Sequence, residues 1–467
     1  MKRRSFFKKS SLALVGASLF SPFDLLASDN QKNTLPNGKT AKNIIFMVSD
    51  GMSIGTLTMA DLLLQRKEGR RSKWLSLYDE GKVSRALMDT ASANALVTDS
   101  AAASSSWGGG VRVNNGSLNV NPDGSFNKPI LQKFKSAGKS VGCVTSVPVT
   151  HATPAGFCIN NASRNAQPDI ALQYLDLNFD VFLGGGTEYF SGDLRKDKVD
   201  LFGNFVQKGY DIAQNKTELL NSNGSSKPLL GVFHKAGLPY TLDINSNPEL
   251  KKSIPTLKEM TTQAINRLKK NKNGFVLQVE AGSVDWAAHA NDSSALLYEQ
   301  IEFDNALAAA IDFAEKDGET MVIITTDHGN ANPGLFSGND KFDKLQHFKQ
   351  TNDWVLNNIN RDFSSRKVIE LVESAQGVVI KDEEAKEVLK HYTQLDSEGL
   401  YNPNKLPYKT YAQILANYTG VSFGSTGHSG DFVELAIFGP GGESLKSFVK
   451  NYEIHNFMLN ATGVKVS

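Results

Sequence analysis

Nearly continuous apolar runs recur along the chain, and each stops on polar residues. The first, Asn43 to Val48, ends in Ser49-Asp50-Gly51. Others lie at Val141 to Val144, Val181 to Leu183, Leu229 to Phe233, Phe275 to Val279, Met321 to Thr325 and Leu435 to Phe438. Runs of this length without alternation predict strands buried on both faces, as in a parallel sheet covered by helices. Helical patterns lie between them, clearest over Ile130 to Ala137 and Leu296 to Phe313. In the second, Leu297, Ile301, Ala308 and Ile311 recur at near-helical spacing. Strands alternating with helices predict an α/β fold: a three-layer α/β/α sandwich with a largely parallel central sheet.

Residues 333–422 break this rhythm. They hold charge-rich, helix-like segments (Trp354 to Ala375, Asp382 to Tyr392, Lys409 to Tyr418) and no long buried strand. They read as an insertion subdomain in the C-terminal half, between a main domain at 43–332 and its continuation at 423–467.

Acidic residues cluster where the runs stop. Asp50 follows the first, Glu280 follows Val279, and Asp327-His328 follow Thr326. Ligands of open α/β sheets bind beyond the carboxyl ends of strands, so these positions point to one site. A shorter run, Ala95-Leu96-Val97, feeds into Thr98-Asp99-Ser100 and then small residues. It predicts a buried approach, a turn and a helix start. Ser100 then sits at or near a helix N-terminus, where free N–H groups and the helix dipole favour an anion. Alone, the pattern equally describes a serine or aspartate N-cap.

Composition narrows the function classes. The 467 residues suffice for one large domain with insertions or two to three smaller ones. Lys+Arg number 50 and Asp+Glu 49, which leaves no electrostatic case for nucleic acid. Cys143 and Cys158 are too few for a disulfide framework; they read as two buried thiols, with a single bridge as the alternative. Lys2-Arg3-Arg4-Ser5-Phe6-Phe7 before the apolar run Leu12 to Phe20 resembles a twin-arginine export signal over residues 1–27, with a general secretory signal as the alternative. That run is too short to span a bilayer, and no cysteine follows it for lipidation. Residues 28–42 are polar and read as a flexible leader. The expectation is an exported protein, periplasmic or secreted, without a stable membrane anchor.

Four further constellations carry chemistry. Asp285 and His289 are spaced to share one helical face, as two ligands of one zinc ion would be. Asp327 and His328 adjoin at a strand end. His428 lies in the glycine-rich stretch Gly424 to Gly430. His151-Ala152-Thr153-Pro154 follows the Val141 run, and Arg164 comes eleven residues after Thr153. Each has an ordinary structural explanation: a cap, a turn or a surface charge.

Together they resemble the alkaline phosphatase family. Val97-Thr98-Asp99-Ser100-Ala101-Ala102 resembles its nucleophile motif. Ser49-Asp50-Gly51-Met52, Ala152-Thr153-Pro154-Ala155, Gln278-Val279-Glu280, Asp285 with His289, Thr326-Asp327-His328 and Gly427-His428 match its other motifs in family order. The resemblance implies hydrolysis of phosphate monoesters through a phosphoserine on Ser100, with Arg164 gripping the phosphate and Asp99 holding Arg164. It also implies two zinc ions and one magnesium ion. Asp285, His289 and His428 would hold one zinc; Asp50, Asp327 and His328 the other; Asp50, Thr153 and Glu280 the magnesium. His151 and Trp286 stand where some bacterial members carry aspartate and lysine, and would act behind these ligands. A homodimer is what the family suggests. A sulfatase would need a Cys/Ser-x-Pro-x-Arg motif, but Ser100 is followed by Ala101-Ala102-Ala103. A metal-storage protein would need neither Ser100 nor Arg164.

Overall fold

The apolar runs become the inner strands of a large sheet. The computed structural model describes residues 40–393 and 405–465. The predicted export signal and residues 28–39 of the predicted leader lie outside the described residues. In chain order the strands are β1 (Asn43–Ser49), β2 (Val83–Met88), β3 (Ser140–Pro148), β4 (Val181–Gly185), β5 (Asp211–Ala213), β6 (Leu229–Val232), β7 (Phe275–Ala281), β8 (Thr320–Thr325), β9 (Gly329–Asn330), β10 (Pro333–Leu335), β11 (Val421–Phe423), β12 (His428–Ser429), β13 (Val433–Phe438) and β14 (Phe448–Val449). Ten form one sheet in the order β14-β2-β13-β8-β1-β7-β3-β4-β6-β5. Only β13 runs antiparallel to its neighbours, β8 and β2.

Helices cover both faces, which is why the inner strands are apolar throughout. Ile44, Phe46 and Val48 of β1 enter one core, with Trp107, Phe157 and Met458 from covering helices. Ile45 and Met47 enter the other, with Met260, Phe303 and Leu307. Phe46 packs on Trp107 and Phe157 at ring separations of 5.0 and 5.1 Å. Cys143 and Cys158 are free and buried, with sulfurs 3.5 Å apart. No helix among the described residues is long and apolar enough to cross a membrane.

Two of the helices that border the site pack closely on each other. Ser100–Gly109 is buried from Ser100 to Gly108, and only small side chains permit its close approach to the Ala152–Cys158 helix. A Cβ on Gly156 would fall 2.2 Å from Ser104 Oγ, and one on Gly108 would fall 1.9 Å from the Gly156 carbonyl oxygen.

The Ala95-Leu96-Val97 approach is not buried, contrary to expectation. Leu96 is 85% exposed and Val97 41%. Polar contacts, rather than apolar packing, fix this segment: Asn115 Nδ2 donates to the Val97 carbonyl, and Ser92 bonds both the N–H and the C=O of Ala95.

The two ends of residues 333–422 are joined by antiparallel pairing of β10 with β11. Between them, Phe342, Val355, Val368, Val388 and Tyr411 share a core with Met59 and Leu63 of helix Ile54–Glu68 and Leu297 of helix Ser293–Asp317. The helical pattern from Trp354 to Ala375 divides into helices Asn352–Asn357 and Ser365–Gln376. Ser364 starts the second by accepting from the Lys367 N–H.

Candidate active site

Strands β8, β1 and β7 lie side by side, so their carboxyl ends bring Asp327, Asp50 and Glu280 together. All three side chains are buried. Gly51, at φ +67°, turns the chain after Asp50 and donates its N–H to Asp327 Oδ1 at 2.9 Å. A Cβ there would fall 2.4 Å from Asp285 Oδ1, so the approach requires glycine.

Asp99 is the N-cap of the Ser100–Gly109 helix; its Oδ1 accepts from the Ala102 N–H at 3.0 Å. Ser100 is thus the first helical residue, and its hydroxyl is free of capping. Its Oγ lies 3.3 Å from His328 Nε2. The short helix Ala152–Cys158 is entered from His151, and Thr153 Oγ1 donates to Asp50 Oδ2 at 3.3 Å.

His328 Nε2 lies 3.1 Å from Asp327 Oδ2 and 3.8 Å from Asp50 Oδ1. Asp285 and His289 share one face of helix Ser283–His289, with Asp285 Oδ2 3.3 Å from His289 Nε2. His428 Nε2 approaches Asp285 Oδ1 at 3.5 Å. Ligand atoms fall within 4.8 Å of one another in three groups: Asp285, His328 and His428; Asp50, Asp327 and His328; and Asp50, His151 and Glu280. His328 borders two of these groups, and Asp50 belongs to two.

The protonation pattern of two histidines calls for a cation. His289 Nδ1–H donates to the Thr426 carbonyl at 2.7 Å, and His428 Nδ1–H donates to the Thr98 carbonyl at 2.9 Å. In the neutral imidazoles each Nε2 then carries a lone pair, yet the two Nε2 atoms lie 3.1 Å apart beside the Asp285 carboxylate. Such convergence is satisfied by a proton or a metal ion. Asp50 Oδ1 and Asp327 Oδ2 are likewise buried without a hydrogen-bond donor. Burial and the charges of Asp327, Asp285 and Glu280 push Asp50 well above the usual carboxylate range. Burial also raises Asp285, but hydrogen bonds from His289 and His428, which their Nε2 atoms can donate once protonated, outweigh it and hold this carboxyl well below that range. Each group combines imidazole with carboxylate, donors that suit divalent metals such as zinc, so the residues present fit divalent metals.

Arg164 is held from two sides. Its Nη1 donates to Asp99 Oδ2 at 3.0 Å and its Nη2 to His151 Nε2 at 3.1 Å. A guanidinium only donates, so His151 Nε2 accepts and its Nδ1 carries the proton. That proton goes to Glu280 Oε1 at 2.9 Å. His151 therefore couples Arg164 to Glu280. Trp286 lies edge-on to His151 at 6.3 Å.

Two participants were not read from the sequence. Thr145, paired across β3 and β7 with Glu280, donates its hydroxyl to Glu280 Oε2. Only the strand register reveals it. Asn330 donates to Asp285 Oδ1 at 2.7 Å; its signal was available as the polar residue closing Asp327-His328-Gly329-Asn330.

Comparison with known proteins identifies the family. The family model described as alkaline phosphatase matches residues 41–464. Alkaline phosphatase 3 of Bacillus subtilis (strain 168) is 30% identical, over 97% of this chain and 95% of its own. Alkaline phosphatase 4 of the same organism is 28% identical, over 98% of each. The crystal structure of Thermus thermophilus alkaline phosphatase has a TM-score of 0.84 at 31% identity, covering 95% of this chain and 97% of that one. The chain belongs to the alkaline phosphatase family and is a phosphatase.

Proposed function

We propose that the protein hydrolyses phosphate monoesters through a phosphoserine on Ser100. The observation that carries this reading is the Ser100 hydroxyl, uncapped at a buried helix N-terminus and 3.3 Å from His328 Nε2, with the doubly held Arg164 alongside. Asp285, His289 and His428 would hold one zinc; Asp50, Asp327 and His328 a second; Asp50, Thr153 and Glu280 a magnesium ion. Bound there, the ions supply positive charge that offsets the phosphate dianion and favours the deprotonated serine.

The chain's own residues do the rest. Arg164 presents two N–H groups to two phosphate oxygens and orients the phosphoryl group. Ser100 Oγ attacks phosphorus, the P–O bond to the alcohol breaks, and the alcohol departs. Water then attacks phosphorus, the Ser100 Oγ–P bond breaks, and inorganic phosphate is released. Thr145 and His151 hold Glu280, and Asp99 holds Arg164, so these groups need not reorganise during reaction.

Export through the N-terminal segment, a homodimer and a distinct insertion at 333–422 belong to the same reading. Cell fractionation of the precursor, solution mass and deletion of the insertion test them. The function itself is tested by assay in zinc- and magnesium-replete buffer. Rapid release from a chromogenic monoester, with little from a diester or sulfate ester, is the expected result. No release from the monoester would refute it.

A further inference from the structure

Two adjacent apolar side chains stand in water at the edge of the site. Leu96 is 85% exposed and Val97 41%. One exposed leucine is ordinary, but a consecutive pair on a pinned backbone is not explained by the fold. Asn115 fixes the segment at three points: its N–H donates to Asn94 Oδ1, its Nδ2 to the Val97 carbonyl, and its Oδ1 accepts from the Asp99 N–H. Ser92 brackets Ala95 from both sides. The pair is held ready, so covering it costs little ordering.

Its position links it to the reaction. Thr98, the next residue, receives the Nδ1–H of His428 on its carbonyl. Val97 Cγ2 lies 3.7 Å from the point a Cβ would occupy on Gly430, two residues beyond His428. This is also where the site meets solvent. The His289 side chain is 40% exposed and His428 15%, while Asp50 and His328 are at 0%.

We propose that Leu96 and Val97 form an apolar ledge that takes the organic part of the substrate and favours phosphate monoesters whose alcohol is apolar, such as an aryl group, over those of hydroxylated alcohols such as glycerol. The proposal rests on the phosphomonoesterase reading above. The phosphate, gripped between Ser100 and Arg164, lies deep; the ester oxygen faces the open His289–His428 edge, and the carbon group beyond it meets the ledge. Burial of a few apolar carbons there gives a modest but measurable preference.

The test is the doubly substituted full-length enzyme, Leu96→Asn with Val97→Thr, assayed with metals present on 2-naphthyl phosphate and on glycerol phosphate. Both positions are exposed and neither side chain contributes to the core, so the variant retains the fold. The expected result is an increase in KM of about fivefold for the naphthyl ester, as for partial burial of a few carbons. KM for glycerol phosphate and inhibition by inorganic phosphate should stay within about twofold, as expected for groups that do not touch the ledge. Equal effects on both esters, or none, would overturn the ledge while leaving the phosphatase reading intact. A changed solution mass would also overturn it, by making the pair a subunit contact. Failure of the parent enzyme to hydrolyse either ester would instead refute the underlying reading, and the ledge with it.

Discussion

Asp99 uses its two carboxylate oxygens for different tasks: Oδ1 caps the Ser100 helix through the Ala102 N–H, and Oδ2 receives Arg164 Nη1, each at 3.0 Å. The residue that starts the helix therefore also sets the position of the cationic fork. The two roles separate by substitution. Asp99→Asn keeps the cap but sets an amide NH2 against Arg164 Nη1 and against the Gly116 N–H, which also donates to Oδ2 at 3.0 Å, whereas Asp99→Ala removes the cap as well. Phosphate inhibition is expected to weaken several-fold in each variant. Both variants leave the Gly116 N–H without its acceptor, and thermal unfolding is expected to show a further loss of about 1 kcal/mol in Asp99→Ala, the usual value of an N-cap. Equal stability losses in the two variants would contradict this division.

Removal of divalent ions should destabilise the protein. Without them, Asp50 Oδ1 and Asp327 Oδ2 are buried acceptors lacking donors, and the Nε2 atoms of His289 and His428 oppose each other. Chelation is expected to lower the melting temperature, and zinc with magnesium to restore it. Linkage gives about 3 kcal/mol when an ion is present at about a hundred times its Kd. A melting temperature unaffected by chelation would argue against the three-ion reading.

Away from the site, Asp243 joins helix Thr241–Ser246 to residue Thr351, accepting from its N–H at 2.8 Å and its hydroxyl at 2.7 Å. Burial, helped by the charges of Asp292 and Asp353, pushes Asp243 up to about 7 from 3.8, against the Thr351 hydrogen bonds. Between those two values the folded chain binds more protons at this group than the unfolded chain does. Its contribution therefore makes stability fall as pH rises from about 4 to about 7, with no further loss above. Asp243→Asn removes that dependence, and the Thr351 hydroxyl can accept from the new amide. The stability of the variant relative to the parent should rise steadily across this window in denaturant titrations. A constant difference would contradict the assignment.

Trp286 borders His151, which in turn holds Arg164. Trp286→Lys adds a cation beside this chain of contacts. Inhibition by inorganic phosphate is expected to strengthen, with the effect fading at high salt. Unchanged inhibition would show that position 286 does not act on the phosphate.

Much of the fold was legible because a parallel strand covered on both faces must be apolar at every position. The runs at Asn43, Phe275 and Met321 are such strands. β2 escaped notice because it alternates and is half-exposed, and β5 and β14 have only three and two residues. In the site, Asp50, Glu280 and Asp327 could be picked out as polar residues ending apolar runs. The pairing of Thr145 with Glu280 could not, since it depends on β3 and β7 being neighbours despite their separation in the chain. Leu96 and Val97 were misplaced for the opposite reason. Their apolar character argued for burial, but the hydrogen bonds of Asn115 and Ser92 fix the backbone and leave the side chains to solvent.

The most direct measurement is covalent trapping. The zinc- and magnesium-replete enzyme is mixed with a monoester and acid-quenched, and its peptides are analysed by mass spectrometry. The account predicts a phosphoryl group on the peptide carrying Ser100, absent from Ser100→Ala, which should also lose monoester turnover by several orders of magnitude. Turnover by the parent with no phosphoserine, or a Ser100→Ala variant of near-parent activity, would contradict it.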